Sequence, residues 1–482
     1  MRFSLNTLQE NHRRALPASW VILPALLAYQ AVLYSGVARA YQHVSVVLLP
    51  WLMAEHGFRL YQHINLGHAP GYLWWNALLY RLVPDHTLRL RLFTVLISAA
   101  ITLLVYRLGQ RWWGQRAALV AAALVTAWGP VVLQYLLYFE FTLGLLATGA
   151  LAAWHRPGGA AWRQLAAGLL VGLMILVKPQ MIAAAGVFVI WRLLAGIRRQ
   201  AASDLLRFGA GAALPLIGAA LLLLAQGTLE QGIFYTTIYN RYAINMAARW
   251  PSLDDLPVVA LWMLLVPLYV IAVTQRREPY SLVLLGLLLA LCLPAFPIYG
   301  LFHLSGTLPM VALAAAGGLS WALTRPAQPV RTIACTALVL TLTTGLALPF
   351  YYRFRLGPTV EQYDALLPIV EWVRSETGAG PGTRMWILPD IDPTGNFYPL
   401  GGYLPPQFYT NTYPWYLAWP ETTAQYLASL DADPPAYLVL VEKWRYQLPA
   451  AVMDYAEAHY QPVAAADMPY GLDRVTLAVR LP

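Results

Sequence analysis

Three ionisable residues lie within or beside the apolar runs of this chain. Placing an ionisable side chain at such a position costs free energy. Lys178 follows the run 165–177, Glu140 lies within Tyr138-Phe-Glu-Phe-Thr142 at the start of another run, and His303 precedes a third. The Lys178 ammonium is suited to hold a phosphate as a compact point charge, and a lysine that snorkels to the interface is the alternative. Glu140 could orient a substrate hydroxyl, ligate a metal or make an interhelical hydrogen bond. His303 is interpreted either as a structural histidine with its hydrogen bonds satisfied or as a substrate contact that faces a pocket.

The loops between the runs supply a second group of candidates. Arg241, within the segment 235–242, could grip a phosphate beside tyrosines that stack on a sugar ring, or it is a solvated loop arginine. The long loop 41–88 holds Glu55 and His68, which are candidate general bases. No P-loop, dinucleotide fingerprint or nucleophile elbow is present. No standard zinc ligand set matches the histidine spacing of the loop, at His43, His56, His63 and His68.

The composition indicates an integral membrane protein. The chain has 482 residues, of which 59% are hydrophobic and 11% charged, with a mean hydropathy of +0.52, whereas a soluble domain averages about a quarter charged residues. The net charge of +9 comes mostly from Lys and Arg in short loops between apolar runs, which favours membrane topology over nucleic-acid binding. Cys292 and Cys335 both lie inside apolar runs, so neither a disulfide framework nor a cysteine metal site is expected.

The apolar runs predict a polytopic α-helical membrane protein with about 11 transmembrane helices. The first run is interpreted as a retained anchor, because it is about a full span long and lacks a small-residue cleavage site. The fifth run is short, and only the turn 134–135 separates the third from the fourth. The runs are 19–38, 88–108, 117–134, 136–154, 165–177, 181–197, 208–226, 256–274, 280–297, 304–323 and 332–350.

Arginines assign the orientation of these spans. With the N-terminus in the cytoplasm, each connection on that side is rich in arginine, and the opposite loops hold the aromatic and acidic residues. An odd number of spans then places everything after Tyr351 outside the cytoplasm. We therefore predict a multi-pass plasma-membrane protein whose cytoplasmic connections carry Arg107, Arg111, Arg116, Arg156, Arg163, Arg198, Arg199, Arg207, Arg276, Arg277, Arg325 and Arg331.

Two segments outside the spans have predicted structure of their own. The loop 41–88 is expected to form two amphipathic membrane-surface helices, 44–56 and 72–82, around a centre rich in His, Asn and Gly that forms the floor or lid of an active site. Residues 352–482 are more charged, which predicts a small extracytoplasmic α/β domain after a transmembrane domain of residues 1–351. The predicted elements of the small domain are helices 360–376, 422–430 and 450–459 and strands 384–389, 436–442 and 474–480.

Several motifs follow one another along the chain: Gly67-His-Ala-Pro-Gly-Tyr72, Leu90-Arg-Leu92, Tyr106–Arg116, Gly168–Lys178, and Phe302-His-Leu with Pro309. Their order and spacing resemble those of the GT-C superfamily, polytopic glycosyltransferases that use polyprenyl-phosphate sugars. The superfamily includes protein O-mannosyltransferases and the aminoarabinose transferase of lipid A. The resemblance covers nearly the whole chain, and the α/β segment at the C-terminus fits it.

The resemblance implies a polyprenyl-phosphate sugar as donor and transfer at the extracytoplasmic face to an unknown glycan, lipid or protein acceptor. Lys178 and Arg241 would hold the lipid phosphate, with His303 and the loop tyrosine Tyr61 as further substrate contacts. A nucleotide sugar and nucleic acid are not expected as partners. The sequence indicates no definite cofactor and leaves a divalent metal ion as an alternative.

One departure from the resemblance concerns catalysis. The superfamily has an acidic pair soon after its first span, whereas this region is Val37-Ala-Arg-Ala-Tyr-Gln-His43. An inverting sugar transfer needs a base for the acceptor proton, so Glu55, Glu140 or His68 would take that role in a hexosyl- or pentosyltransferase. A catalytically silent lipid-sugar binding or assembly protein is the first rival, and a transporter is the second. We expect one shared cavity at the outer boundary for Glu55, His68, Glu140, Lys178, Arg241 and His303.

Overall fold

The structure is a computed structural model, and its described residues form two compact units. The first unit comprises the described parts of Met1–Arg39, Arg91–Leu216 and Trp250–Gly357, and the second comprises the described parts of Ala40–Leu90, Ile217–Arg249 and Pro358–Pro482. The predicted turn 134–135, Arg156, most of the segment 37–43, the N-terminal residues 1–15 and the start of the predicted helix 360–376 lie outside the described residues. The described residues are 16–37, 43–133, 136–154, 160–195, 198–242, 248–253, 255–276, 279–296, 298–356, 366–391, 394–412, 415–417, 419–468 and 473–482.

Apolar helices dominate the described part of the chain. Six are long and apolar enough to cross a membrane: His86–Trp113, Gln115–Val132, Ala201–Ala225, Asp255–Gln275, Leu301–Leu323 and Gln328–Tyr351. Shorter apolar helices are Ser19–Ser35, Phe139–Trp154, Ala161–Val177, Pro179–Leu194 and Ser281–Ala295. Together they follow the order of the predicted runs, and the chain is a multi-pass membrane protein.

The helices and strands of the described residues are numbered in chain order. The strands are β1 Met385–Leu388, β2 Tyr437–Val441, β3 Tyr460–Met468 and β4 Asp473–Arg480. The α-helices are α1 Leu16–Val32, α2 Leu48–Glu55, α3 Pro70–Leu82, α4 His86–Trp113, α5 Gln115–Val132, α6 Phe139–Trp154, α7 Ala161–Val177, α8 Ile182–Ala195, α9 Arg198–Ala225, α10 Leu229–Ile233, α11 Asp255–Met263, α12 Val266–Arg276, α13 Pro279–Cys292, α14 Leu308–Leu323, α15 Gln328–Leu356, α16 Leu367–Thr377, α17 Phe397–Gly401, α18 Pro420–Ala432 and α19 Ala450–His459.

Glycines let α7 and the part of α9 that belongs to the first unit pack backbone against backbone. A Cβ added at Gly168 would come 2.0 Å from the carbonyl oxygen of Phe208, and one at Gly211 would come 2.1 Å from that of Leu165. Small residues at a helix crossing are the usual way in which membrane helices gain close packing, because lipid supplies no hydrophobic drive between helices. The crossing fixes the position of α7, whose last residue precedes Lys178.

The second unit contains one four-stranded sheet with the order β1-β2-β4-β3. Strand β1 pairs with β2 in parallel, with Met385 opposite Tyr437, and β4 pairs antiparallel with both β2 and β3. The core between the sheet and its helices includes Trp386 and Leu430, both at 0% exposure. The predicted strands 384–389, 436–442 and 474–480 are present as β1, β2 and β4, and the predicted helix 450–459 is present as α19.

Strand β3 was not predicted from the sequence. Its residues Tyr-Gln-Pro-Val-Ala-Ala-Ala-Asp-Met include three alanines and a proline, which have low β propensity. Most of the strand is not buried, so it lacks the apolar alternation that signals a strand. Strand β3 forms because it pairs antiparallel with β4, and its local sequence does not predict this pairing. Tertiary context therefore decides this element.

The two helices of the predicted first outer loop are present within the second unit. Helix α2 begins at Leu48, four residues after the predicted start, and α3 begins at Pro70, where proline suits the first turn of a helix. The prediction placed α2 on the membrane surface. Its residues Leu48, Leu49 and Leu52 are instead at 0% exposure inside the unit. The apolar residues of α2 are used for packing within the protein.

Candidate functional site

Glu140 is placed by a strained turn at the start of α6. Leu137 has a φ of 55°, a left-handed conformation that is unfavourable for a leucine. Its backbone N–H donates to Thr94 Oγ1 of α4 at 3.0 Å, which supports this conformation. Strain of this kind costs about 1–3 kcal/mol and persists only where the surroundings fix it. The turn directs the chain into α6, where Glu140 is the second residue and is fully buried at 0% exposure.

Lys178 is placed by the end of α7. Pro179 follows it, and the residue before a proline is pushed out of the helical region, which agrees with the extended φ of −144° and ψ of 118° at Lys178. The ammonium donates to Glu140 Oε1. It also lies 5.6 Å from the ring centroid of Phe139, within the range of a cation–π contact. The Lys178 side chain keeps 18% exposure.

His303 completes a three-residue cluster. It lies in the 3-10 helix Leu301–Thr307, which leads into α14, and its Nδ1 is 2.6 Å from Glu140 Oε1. The imidazole packs against two aromatic rings: the ring centroids of Phe302 and Tyr138 lie 4.2 and 6.2 Å from it. Two nitrogen donors from different segments therefore share one carboxylate oxygen.

A close backbone approach makes this sharing possible. A Cβ added at Gly306 would come 2.6 Å from the carbonyl oxygen of Glu140, and one added at Gly144 would come 3.0 Å from the carbonyl oxygen of Gly306. The contact at Gly306 requires glycine, and the contact at Gly144 is tight for any larger residue. The pair brings the 3-10 helix against the first turns of α6, and His303 thereby reaches the carboxylate.

The cluster is an ion pair in an apolar unit. A buried carboxylate without a partner would be costly, and the Lys178 ammonium compensates its charge. Glu140 Oε2 is buried and has no hydrogen-bond partner among the described residues. The Glu140 side chain is only 1% exposed, so an acceptor hydroxyl has no access to it in this conformation. The most exposed side chain of the cluster is that of Lys178, at 18% against 11% for His303.

The other predicted site residues lie in the second unit. Glu55 is exposed near the end of α2, and its Oε1 accepts a hydrogen bond from the Tyr80 hydroxyl at 2.6 Å. Arg241 is exposed, shortly after the π-helix Phe234–Tyr239. Of the six residues expected in one cavity, the structure brings Glu140, Lys178 and His303 into direct contact within the first unit.

Tyr61 and His68 are joined by a hydrogen bond within the loop between α2 and α3. The Tyr61 hydroxyl donates to the carbonyl oxygen of His68 at 2.6 Å, and Tyr61 is 2% exposed. Its ring stacks on Tyr235 with 6.3 Å between centroids, and burial raises the pKa of the phenol. The hydroxyl predicted to contact substrate is thus engaged with the backbone, and Tyr61 holds the loop segment that carries His68.

Among the described residues, no group of three or more His, Cys, Asp or Glu side chains is arranged to hold a metal ion. Glu140, which the sequence left open as a metal ligand, uses Oε1 for the ammonium and the imidazole.

The sequence did not single out three residues that contact candidate site residues or their turns: Thr94 and Gly306 in the first unit, and Tyr80 in the second. For Gly306 a signal was available, because it follows His303 by three residues in Phe302-His-Leu-Ser-Gly306. Thr94 and Tyr80 carried none, since each acts on a residue more than twenty positions away.

The chain is similar in sequence to one protein family and in structure to several solved proteins. Residues 67–223, which include Glu140 and Lys178, match the dolichyl-phosphate-mannose-protein mannosyltransferase family model. ArnT from Cupriavidus metallidurans, in its crystal structure bound to undecaprenyl phosphate, is similar with a TM-score of 0.64 at 15% identity, over 96% of this chain and 98% of that chain. ArnT is a GT-C glycosyltransferase. The chain therefore has the GT-C fold.

Two further GT-C structures are similar. The arabinofuranosyltransferase AftD from Mycobacteria aligns with a TM-score of 0.53 at 15% identity, over 95% of this chain and 40% of that chain. The Archaeoglobus fulgidus oligosaccharyltransferase, tethered to an acceptor peptide, aligns with a TM-score of 0.55 at 12% identity, over 97% of this chain and 76% of that chain. The predicted resemblance to the GT-C superfamily is confirmed. A comparison with curated protein sequences finds no match.

Proposed function

We propose that this chain is a membrane glycosyltransferase that moves a sugar from a polyprenyl-phosphate carrier to an acceptor hydroxyl at the extracytoplasmic face. The observation that carries the proposal is the Lys178 side chain, which follows the end of an apolar helix in a GT-C fold, is 18% exposed, and donates to the buried carboxylate of Glu140. An ionic group at such a position is costly unless it has a partner or a ligand. Lys178 has its partner in Glu140, and a lipid phosphate is the ligand that suits its remaining donors.

The reaction is a displacement at the sugar C1. The acceptor oxygen forms a bond to C1, the bond from C1 to the phosphate oxygen breaks, and the electron pair leaves with the polyprenyl phosphate. Negative charge grows on the phosphate as it departs, and a fixed ammonium stabilises that charge. Lys178 takes this role, and Arg241, exposed in its loop, is proposed as a second phosphate ligand. The transfer inverts the configuration at C1.

The acceptor proton needs a base, and the three candidates differ in access. Glu140 is buried and already accepts from two donors, so we assign it to positioning Lys178 and not to proton transfer. Glu55 is exposed, and the Tyr80 hydroxyl orients its carboxylate. We therefore propose Glu55 as the base, with His68 as the next candidate.

A catalytically silent binder of polyprenyl-phosphate sugars is the second candidate function. The observation in its favour is the sequence Val37-Ala-Arg-Ala-Tyr-Gln-His43, which contains no acidic residue where the resemblance implies an acidic pair. Such a protein would keep the lysine site and lose the transfer step. The two functions therefore share the lipid and differ in turnover.

One experiment separates the candidates. The purified chain is incubated with radiolabelled polyprenyl-phosphate sugars and a mixed pool of glycan, lipid and peptide acceptors, and release of the lipid phosphate is followed. Release by the wild type and its loss in Lys178→Ala support the transferase. Binding of the lipid without release supports the silent binder. Absence of both binding and release across the donor panel would contradict both.

A further inference from the structure

His303 contacts the oxygen that holds the lysine. Its Nδ1 is 2.6 Å from Glu140 Oε1, and the Lys178 ammonium donates to the same oxygen. An ionised carboxylate only accepts hydrogen bonds, so Nδ1 of His303 carries the proton and donates. His303 therefore acts on Lys178 through Glu140.

We infer that His303 is a positioning residue, which fixes the Glu140 carboxylate and, through it, the ammonium that binds the lipid phosphate. This inference rests on the proposed function, because it assigns the Lys178 site to a polyprenyl phosphate. It also changes the role predicted for His303 from a direct substrate contact to an indirect one.

The carboxylate needs a rigid second anchor. Lysine is a flexible stem with a mobile ammonium, and by itself it does not fix the rotamer of its partner. Glu140 Oε2 has no hydrogen-bond partner among the described residues, so both specific contacts of the carboxylate fall on Oε1. The imidazole is the stiffer donor, since it has few rotatable bonds and packs against Phe302 and Tyr138.

The backbone supports the same role. His303 lies on a 3-10 helix that is held against α6 by the contact of Gly306 with Glu140. The carboxylate and its histidine anchor thus belong to two segments with a fixed separation. Lys178 has the most exposed side chain of the cluster, at 18% against 11% for His303, and its flexible stem can turn toward a ligand.

Three substitutions at His303 separate positioning from general packing. His303→Asn puts an amide N–H near the position of Nδ1, His303→Gln puts one near the position of Nε2, and His303→Leu removes the donor. The probe is undecaprenyl phosphate without a sugar, titrated against the purified full chain by tryptophan fluorescence. Thermal unfolding of each variant is recorded alongside. We expect His303→Asn to bind like the wild type and the other two to bind about 10-fold or more weakly, the loss expected for a hydrogen bond to a charged group.

A double-mutant cycle with Lys178→Ala tests whether His303 acts through the lysine. If it does, His303→Leu weakens binding in the wild-type background and adds little in the Lys178→Ala background. Equal weakening in both backgrounds, or wild-type affinity in His303→Leu, would overturn the positioning role alone. A wild-type chain that does not bind undecaprenyl phosphate would overturn the proposed function, and the positioning role with it.

Discussion

The backbone of Gly306 lies directly against that of Glu140, so that a Cβ at Gly306 would come 2.6 Å from the Glu140 carbonyl oxygen. This contact ties the segment that carries His303 to the helix that carries the buried carboxylate. The absence of a Cβ at Gly306 is therefore necessary for this contact. The geometry of three polar residues depends on it.

Gly306→Ala is expected to disturb both stability and lipid binding. The new methyl group must push the 3-10 helix away from α6, and overpacking of this kind costs roughly 1–3 kcal/mol. Thermal unfolding in detergent and titration with undecaprenyl phosphate measure the two effects. Gly186→Ala is the matched control, because no atom lies within 4 Å of a Cβ at Gly186. Equal behaviour of the two variants would show that the close approach does not shape the site.

The crossing of α7 and α9 gives a second glycine pair for comparison on one helix. A Cβ at Gly211 would lie 2.1 Å from the Leu165 carbonyl oxygen, whereas no atom lies within 4 Å of a Cβ at Gly209. Gly211→Ala should lower the unfolding temperature and weaken lipid-phosphate binding, since α7 leads to Lys178. Gly209→Ala should leave both unchanged or raise stability slightly, because alanine is favoured over glycine in a helix by up to about 1 kcal/mol. The reverse order of the two unfolding temperatures would refute this packing.

Glu55→Gln and Glu140→Gln should fail in different ways. If Glu55 is the base, Glu55→Gln lowers turnover by roughly two to four orders of magnitude while undecaprenyl phosphate still binds. Glu140→Gln removes the charge that holds the Lys178 ammonium, so it should weaken binding of the lipid phosphate itself. Single-turnover rates at saturating donor and separate binding titrations distinguish the two.

Tyr80→Phe, which removes the donor to Glu55, should lower turnover less than Glu55→Gln does. Normal turnover in both glutamine variants would leave His68 as the base to test.

A topology experiment tests the side of the membrane on which transfer is proposed. A reporter that is active only outside the cytoplasm, fused after Tyr352, should be active if the predicted odd number of spans precedes it. The same reporter fused after Gly114, in the arginine-rich connection between α4 and α5, should be silent. Activity of the Gly114 fusion and silence of the Tyr352 fusion would invert the topology and move the proposed site to the cytoplasmic face.

Much of the fold follows from local patterns. The apolar runs predict the membrane helices, because only long apolar segments remove backbone polar groups from water at an acceptable free energy. The strands β1, β2 and β4 and the helix α19 follow from periodicity and turn residues. Strand β3 does not, since its alanine-rich sequence has little preference of its own and depends on its neighbour β4.

The sequence by itself also indicated which residues of the first unit are candidates for a functional site. Glu140, Lys178 and His303 stand out singly, because an ionisable group beside an apolar run is costly and therefore informative. Only the tertiary structure shows that Lys178 and His303 both contact the carboxylate of Glu140. Lys178 is 38 positions from Glu140, and His303 is 163 positions from it. Their meeting at one carboxylate oxygen depends on backbone contacts at Gly144 and Gly306, and close packing between distant segments leaves no periodic signal in the chain.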